Sequence, residues 1–245
     1  MSLQGKVALI TGGGTGIGRS TALAFARAGM RVAIGYARSE AEAEQTAQEV
    51  AAAGGEAMLA RADVADEAQV KAMAGAVLER WGGVDVLVNS AGTTVFAELA
   101  DLAAITDEAW QRLFAVNVLG VWYASRACAP SLKARGGAII TIASIAGLTG
   151  LGSSIPYSVT KGAAITLTKS LARALAPQVR VNAIAPGFVD TRWHAARPGA
   201  AQAIAERVPL KKVAGPDDIA DLALYLAGAQ VVTGQVYIID AGQTL

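Results

Sequence analysis

The chain has 245 residues, 27 of them glycine, with 53% apolar and only 5% aromatic side chains. Its core is therefore built from Ala, Val, Leu and Ile, and it is long enough to bury one without a disulfide or metal staple. With 21 basic and 20 acidic residues, the formal charge of +1 supplies no long-range attraction to nucleic acid or an anionic membrane. Cys128 stands alone, which excludes an internal disulfide and a cysteine-rich zinc site. His194 is the only histidine, so no histidine cluster can hold a metal. The start, Met1 to Lys6, runs into an apolar stretch too short for a signal segment, and no stretch reaches the ~18 residues of a membrane helix. The expectation is a cytoplasmic protein with no nucleic-acid or membrane partner.

In chain order, short apolar runs alternate with helical patterns. Val7–Thr11 precedes a helix from about Gly16 to Ala28, and Val32–Tyr36 precedes one over Glu40–Ala53. Glu56–Arg61 leads to Glu67–Arg80, and Val84–Val88 to a long helix from about Asp107 to Leu132. Ala138–Ala143 leads to Tyr157–Leu175, and Val179–Ile184 to a looser region. Pro216–Leu226 is the last helix and Val236–Ile239 the last strand. Strands alternating with helices of ten or more residues imply crossover connections and a parallel sheet of seven strands. Their nearly unbroken apolar character implies burial on both faces. No linker or short-period repeat interrupts the pattern, so one α/β domain is expected, with a lid at about 187–213 that contains a short helix near Ala200–Arg207.

Thr11-Gly-Gly-Gly-Thr-Gly-Ile-Gly18 lies between the first strand and first helix. Glycines there let the chain turn sharply and let a pyrophosphate approach the free N–H groups of a helix N-terminus. Tyr157 and Lys161 stand four apart on one helix face, close enough for an ammonium to favour the phenolate. Ser144 closes an apolar strand at the edge where doubly wound sheets bind ligands. Taken alone, it reads equally as a helix-cap or turn serine.

These elements together resemble the classical short-chain dehydrogenase/reductase family over essentially the whole chain. The matching residues run in the family's order: Gly12, Gly16 and Gly18 of the turn, Asp63, Asn89-Ser90-Ala91-Gly92, Asn117, Ser144, Tyr157-x-x-x-Lys161 and Pro186-Gly187. Ser90 departs from the family, which usually has a second Asn there. The resemblance implies a Rossmann-type doubly wound sheet with helices on both faces. It implies that Tyr157 is the general acid/base, that Lys161 tunes it and holds the nicotinamide ribose, and that Ser144 binds the substrate oxygen. Asn117 would sit at a helix distortion and hold a water that relays protons through Lys161. Thr15, Ile17 and the turn glycines would take the pyrophosphate, Asp63 and Val64 the adenine, and Asn89, Ala91 and Gly92 the adenosine side. Val189 and Thr191 would hold the carboxamide and pyrophosphate.

An NAD-selective site wants a carboxylate after the second strand to accept from the ribose 2′-OH. Tyr36 occupies that place and Arg38 follows, which favours NADP(H) over NAD(H) through a guanidinium fork on a 2′-phosphate. The plain alternative for Arg38 is a solvated residue ahead of a helix. Overall similarity is greatest to 3-oxoacyl-acyl-carrier-protein reductases, whose acidic carrier docks where this chain has Lys133 and Arg135. Pro177-Gln178 at the second docking position weakens that assignment. The alternatives are a reductase or dehydrogenase for sugars, steroids or small ketones, and a non-enzymatic dinucleotide-binding regulator. His194, beside Trp193, reads as a chance surface residue. Trp110, Phe114, Leu119, Trp122 and Tyr123 are apolar beyond one helix face, which points to a homotetramer.

Overall fold

The computed structural model describes residues 2–195 and 197–245. Seven parallel strands form one sheet in the order β3-β2-β1-β4-β5-β6-β7. They are β1 Val7–Thr11, β2 Arg31–Tyr36, β3 Glu56–Arg61, β4 Val86–Asn89, β5 Ala138–Ile142, β6 Arg180–Pro186 and β7 Val236–Ile239. The helices are α1 Gly16–Arg27, α2 Glu40–Ala52, α3 Glu67–Trp81, α4 Asp107–Phe114, α5 Gly120–Arg135, α6 Ala146–Thr149, α7 Ile155–Leu175, α8 Ala200–Ala205 and α9 Pro216–Gly228.

Alternate strand residues feed two separate cores, as a pleated sheet covered on both faces requires. Ala8 and Ile10 point to one face, where Phe25 of α1, Val50 of α2 and Ile219 of α9 cover them. Val7 and Leu9 point to the other, under Val70 of α3, Leu132 of α5 and Leu171 of α7. Strand order reverses between β1 and β4, and that switch point opens a crevice at the carboxyl ends of the strands.

Most boundaries shift from the sequence expectation by a residue or two, and two differences bear on the surroundings of the crevice. β4 runs from Val86; just before it Asp85 keeps its backbone bonds to Val7 and Ala138, while its carboxylate accepts from the Val7 N–H at 2.9 Å and pairs with Lys6 and Arg135, both at 3.0 Å. The long helix expected from Asp107 to Leu132 is broken by a π-helical turn at Ala115–Leu119. Such turns insert one residue into a helix and concentrate at functional sites. Asn117 lies within it, which agrees with the distortion implied by the resemblance.

Candidate active site

The crevice encloses about 670 Å³ and is lined from the ends of β1, β2, β4, β5 and β6. At its floor the chain leaves Thr11 and turns at Gly12, which has φ +65°. A Cβ at Gly12 would lie 2.9 Å from the Ala91 Cα, so the loop after β4 passes too close for any side chain. Thr11 closes the same contact: its hydroxyl oxygen accepts from the Ser90 N–H at 3.1 Å and the Ala91 N–H at 3.2 Å. These are backbone donors, which is why Ser in place of the family's second Asn leaves the turn intact. Thr15 opens α1 in extended conformation and makes no side-chain cap. The first N–H groups of α1 therefore remain available at the crevice floor, beside Gly16 and Ile17, an arrangement suited to a phosphate.

Tyr157 is positioned by the start of α7. Ser154 is the N-cap, fully buried, and its hydroxyl accepts from the Tyr157 N–H at 3.4 Å, while Pro156 occupies the first turn. One turn later the Lys161 ammonium donates to the Ile142 carbonyl at 2.8 Å and lies 5.7 Å from the Tyr157 ring centroid. Ser144 follows β5; its hydroxyl accepts from the Ala146 N–H at 3.1 Å and stands near enough to the Tyr157 phenol to lower it. The turn reading and the ligand reading of Ser144 thus describe the same atom.

Burial governs the titration of this group. Burial pushes the Tyr157 phenol up to about 12, opposed by the nearby Ser144 hydroxyl, and desolvation lowers Lys161 to about 8. From the sequence, the Lys161 ammonium is expected to lower the tyrosine. In this pocket burial outweighs that effect, and Tyr157 is a stored proton at neutral pH.

The crevice brings together Gly12, Thr15, Gly16, Ile17, Tyr36, Arg38, Asp63, Val64, Ala91, Gly92, Ser144, Tyr157, Lys161, Pro186, Gly187, Val189 and Thr191. Three expected residues lie behind it. Gly18 packs beneath the turn, where a Cβ would strike the Gly12 carbonyl oxygen. Asn89 is buried, and its amide donates to the Ser125 hydroxyl at 3.3 Å on the α5 side. Asn117 is buried as well, its side chain saturated by the Thr93 backbone (2.9 and 3.0 Å) and the Thr160 hydroxyl (3.0 Å). It supports the wall on which Gly92 and Lys161 face each other rather than meeting a ligand directly.

At the adenosine end, Asp63 accepts from the Ala65 N–H at 3.0 Å and pairs with Arg112 at 3.2 Å. The Tyr36 hydroxyl donates to Glu40 at 2.9 Å, and so the nearest carboxylate after β2 is already engaged. Arg38 is exposed on the crevice rim and has no ion pair or hydrogen bond among the described residues.

The segment after β6 crosses the opposite wall, joined to the body by a bridge between Val189 and Ala214. Arg192 reaches over to the start of α2, pairing with Glu42 and donating to the Ser39 hydroxyl at 2.8 Å. Trp193 stands 6.3 Å from the Tyr157 ring. His194 is not a free surface residue: it lines the crevice and stacks on Phe188 at 4.0 Å with an interplanar angle of 21°. Arg135, read as a carrier contact, is committed to Asp85 at the amino-terminal edge of the sheet, across the strands from Ser144. Thr11, Arg112, Arg192 and His194 escaped the sequence reading as site residues. Only Thr11, which opens the glycine motif, carried a local signal.

A family model described as enoyl-(acyl carrier protein) reductase matches residues 12–244. The chain is 39% identical over 246 residues to ketoacyl reductase 2 of the granaticin polyketide synthase of Streptomyces violaceoruber, covering 99% of this chain and 97% of that one. It is 38% identical to galactitol 2-dehydrogenase of Agrobacterium fabrum, with 99% and 98% covered. A solved short-chain dehydrogenase/reductase from Serratia marcescens superposes with a TM-score of 0.91 at 34% identity, with the whole of both chains covered. Matched along its whole length, with the glycine turn, serine, tyrosine and lysine converging in one crevice, the chain belongs to the short-chain dehydrogenase/reductase family, oxidoreductases that interconvert carbonyl and alcohol with NAD(P).

Proposed function

We propose that the protein is an NADP(H)-dependent reductase of ketones, with 3-oxoacyl thioesters as the first substrate class to test. The observation that carries this reading is the convergence of Ser144, Tyr157 and Lys161 above the uncapped N-terminus of α1. The glycine cradle and the free helix N–H groups suit a dinucleotide's pyrophosphate. When bound, the nicotinamide supplies or accepts the hydride. Tyr157 holds the proton that the substrate oxygen needs as negative charge grows on it, and burial keeps that proton in place at neutral pH. Ser144 donates a second hydrogen bond to the same oxygen and fixes its distance from the phenol. Lys161 offers a cation and donors to the ribose, while Asn117 braces the wall behind it.

The preference for NADP(H) is supported by the uncommitted Arg38 at the rim and by Glu40 being tied to Tyr36. A 2′-phosphate would meet a guanidinium and the Ser39 hydroxyl instead of a free carboxylate. Thr15, Gly12, Gly16 and Ile17 are assigned to the pyrophosphate, Asp63 and Val64 to the adenine, Ala91 and Gly92 to the adenosine ribose, and Val189 and Thr191 to the carboxamide side, next to Pro186 and Gly187. Residues 187–213 form the lid of a single domain. Exposed Phe114 on α4, Leu119 on the π-helical turn, Trp122 on α5 and Val159 on α7 support a homotetramer, tested by its mass in light scattering. A cytoplasmic setting fits the buried Cys128, whose thiol burial pushes up to about 12.

The relative that acts on galactitol favours a second reading, oxidation of a polyol or reduction of a sugar ketone. A panel of ketones, sugars and 3-oxoacyl thioesters, on carrier protein and on a small thiol, followed by NADPH and NADH absorbance, separates the two. No turnover on any member, with cofactor still bound, would count against both substrate classes.

A further inference from the structure

His194 is presented to the crevice by two aromatic rings that do not themselves line it. Phe188 lies flat against the imidazole at 4.0 Å, and Phe96 meets it edge-on at 6.3 Å. The two contacts fix the plane of the ring. Its Nδ1 is turned into this packing and has no hydrogen-bond partner among the described residues. Neither nitrogen makes a hydrogen bond to a described residue, and Nε2 is not among the buried unpaired atoms. Nε2 is thus the accessible nitrogen of a ring that lines the crevice, on the wall shared with Trp193 and, through it, Tyr157.

Burying an unpaired ring nitrogen is unfavourable, and a phenylalanine would fill the same space on Phe188 without that cost. The protonated imidazolium is disfavoured further by burial and by the Arg197 guanidinium, which itself lies over Phe96 at 5.8 Å; Asp190 opposes this. With Nδ1 enclosed by the aromatic packing and offered no acceptor, the single hydrogen of the neutral ring belongs on Nε2. The wall therefore offers a single directed N–H, at a distance from the Ser144 and Tyr157 hydroxyls that already serve the reacting oxygen.

We propose that His194 is a substrate-positioning residue that donates a hydrogen bond from Nε2 to a second oxygen of the substrate, one set apart from the carbonyl being reduced. The substrate class is then a ketone with a further acceptor oxygen along its chain, of which a 3-oxo ester or thioester is the simplest. This rests on the ketone-reductase reading and narrows it.

The test uses the full-length protein with NADPH and two chain-length isosteres, methyl 3-oxobutanoate, which carries the second oxygen, and 2-hexanone, which does not. The quantity read is the ratio of kcat/KM for the two, in wild type, His194→Phe and His194→Gln. His194→Phe keeps the stack on Phe188 and should lower the ratio about 3- to 10-fold, as the loss of one neutral hydrogen bond does, mainly through KM of the keto ester. His194→Gln retains a donor and should recover part of the ratio. Titration of NADPH by quenching of protein fluorescence checks that all three remain folded. An unchanged ratio in His194→Phe, or an equal fall for both substrates, would overturn the role of His194 while leaving the reductase reading standing. Failure of the wild type to reduce either ketone would overturn the reading beneath it as well.

Discussion

Adding one methyl group at Gly147 should damage catalysis from behind. Gly147 lies in the short helix α6, packed backbone to backbone on α7 where Lys161 meets Gly162. A Cβ there would stand 2.5 Å from the Lys161 carbonyl carbon and 2.6 Å from the Gly162 nitrogen. That is about 1 Å inside ordinary van der Waals contact, and neither neighbour is a side chain that can swing away. Gly147→Ala must therefore push α6 and the middle of α7 apart by about that amount, with a stability loss of roughly 1–3 kcal/mol as for other overpacked sites. A shift of ~1 Å in Lys161 relative to Ser144, which is anchored at the other end of α6, should lower kcat by about 10²-fold. The same substitution at Gly75, an exposed position in α3 with nothing within 4 Å, makes the control. Gly75→Ala should leave kcat unchanged and stabilise by about 0.5–1 kcal/mol. Thermal unfolding and steady-state reduction of an accepted ketone, measured on both variants, decide the matter. Wild-type Tm and kcat in Gly147→Ala would refute the claim that this contact holds the catalytic lysine.

Tyr157→Phe keeps the ring and removes the proton, so turnover should fall about 10²–10⁴-fold while NADPH binds as before in a fluorescence titration. Arg38→Ala should weaken NADPH by about 1.5–3 kcal/mol and NADH much less; equal losses would remove Arg38 from the 2′-phosphate. Lys161, lowered to about 8, loses its positive charge above that pH, so kcat/KM for reduction should decline through pH 8, and Lys161→Arg should move the decline upward. The stability sign follows from the same shift. The folded-state value lies below the unfolded one of 10.5, so between about 8 and 10.5 the unfolded chain binds more protons and Tm of the cofactor-free protein should rise. Above pH 10, Tyr157, raised to about 12, acts in the opposite direction.

The sheet was legible because its signal is local: five- and six-residue apolar runs rich in β-branched residues, such as Ala138–Ile142, read as strands buried on both faces when they alternate with longer helical patterns. The catalytic residues were legible because the lysine follows the tyrosine one helical turn later and the serine follows a strand. What escaped depends on distance in space. Nothing near Arg192 announces Ser39 and Glu42, about 150 residues earlier, as its partners. His194 becomes a crevice residue only through Phe188 and Phe96. The tyrosine's upward shift belongs to the same class, since a sequence displays the neighbouring lysine but not the depth at which both are buried.

The arm of Arg192 joins the two ends of the crevice, since it leaves the segment beside Trp193 and ends on α2 next to the place assigned to the adenosine ribose. Its side chain is 53% exposed and that of Glu42 45%, so water screens the ion pair and leaves it weak, a catch rather than a bolt. Even so, whatever settles against Ser39 and Glu42 alters the freedom of the strip that carries Trp193 and His194. Coupling of this kind is reciprocal: occupancy of the adenosine end biases how tightly the far end grips a ketone, and a gripped ketone biases release of the dinucleotide by the same factor. The two halves of the crevice then fill and empty as correlated events, and Arg192→Ala should render them independent.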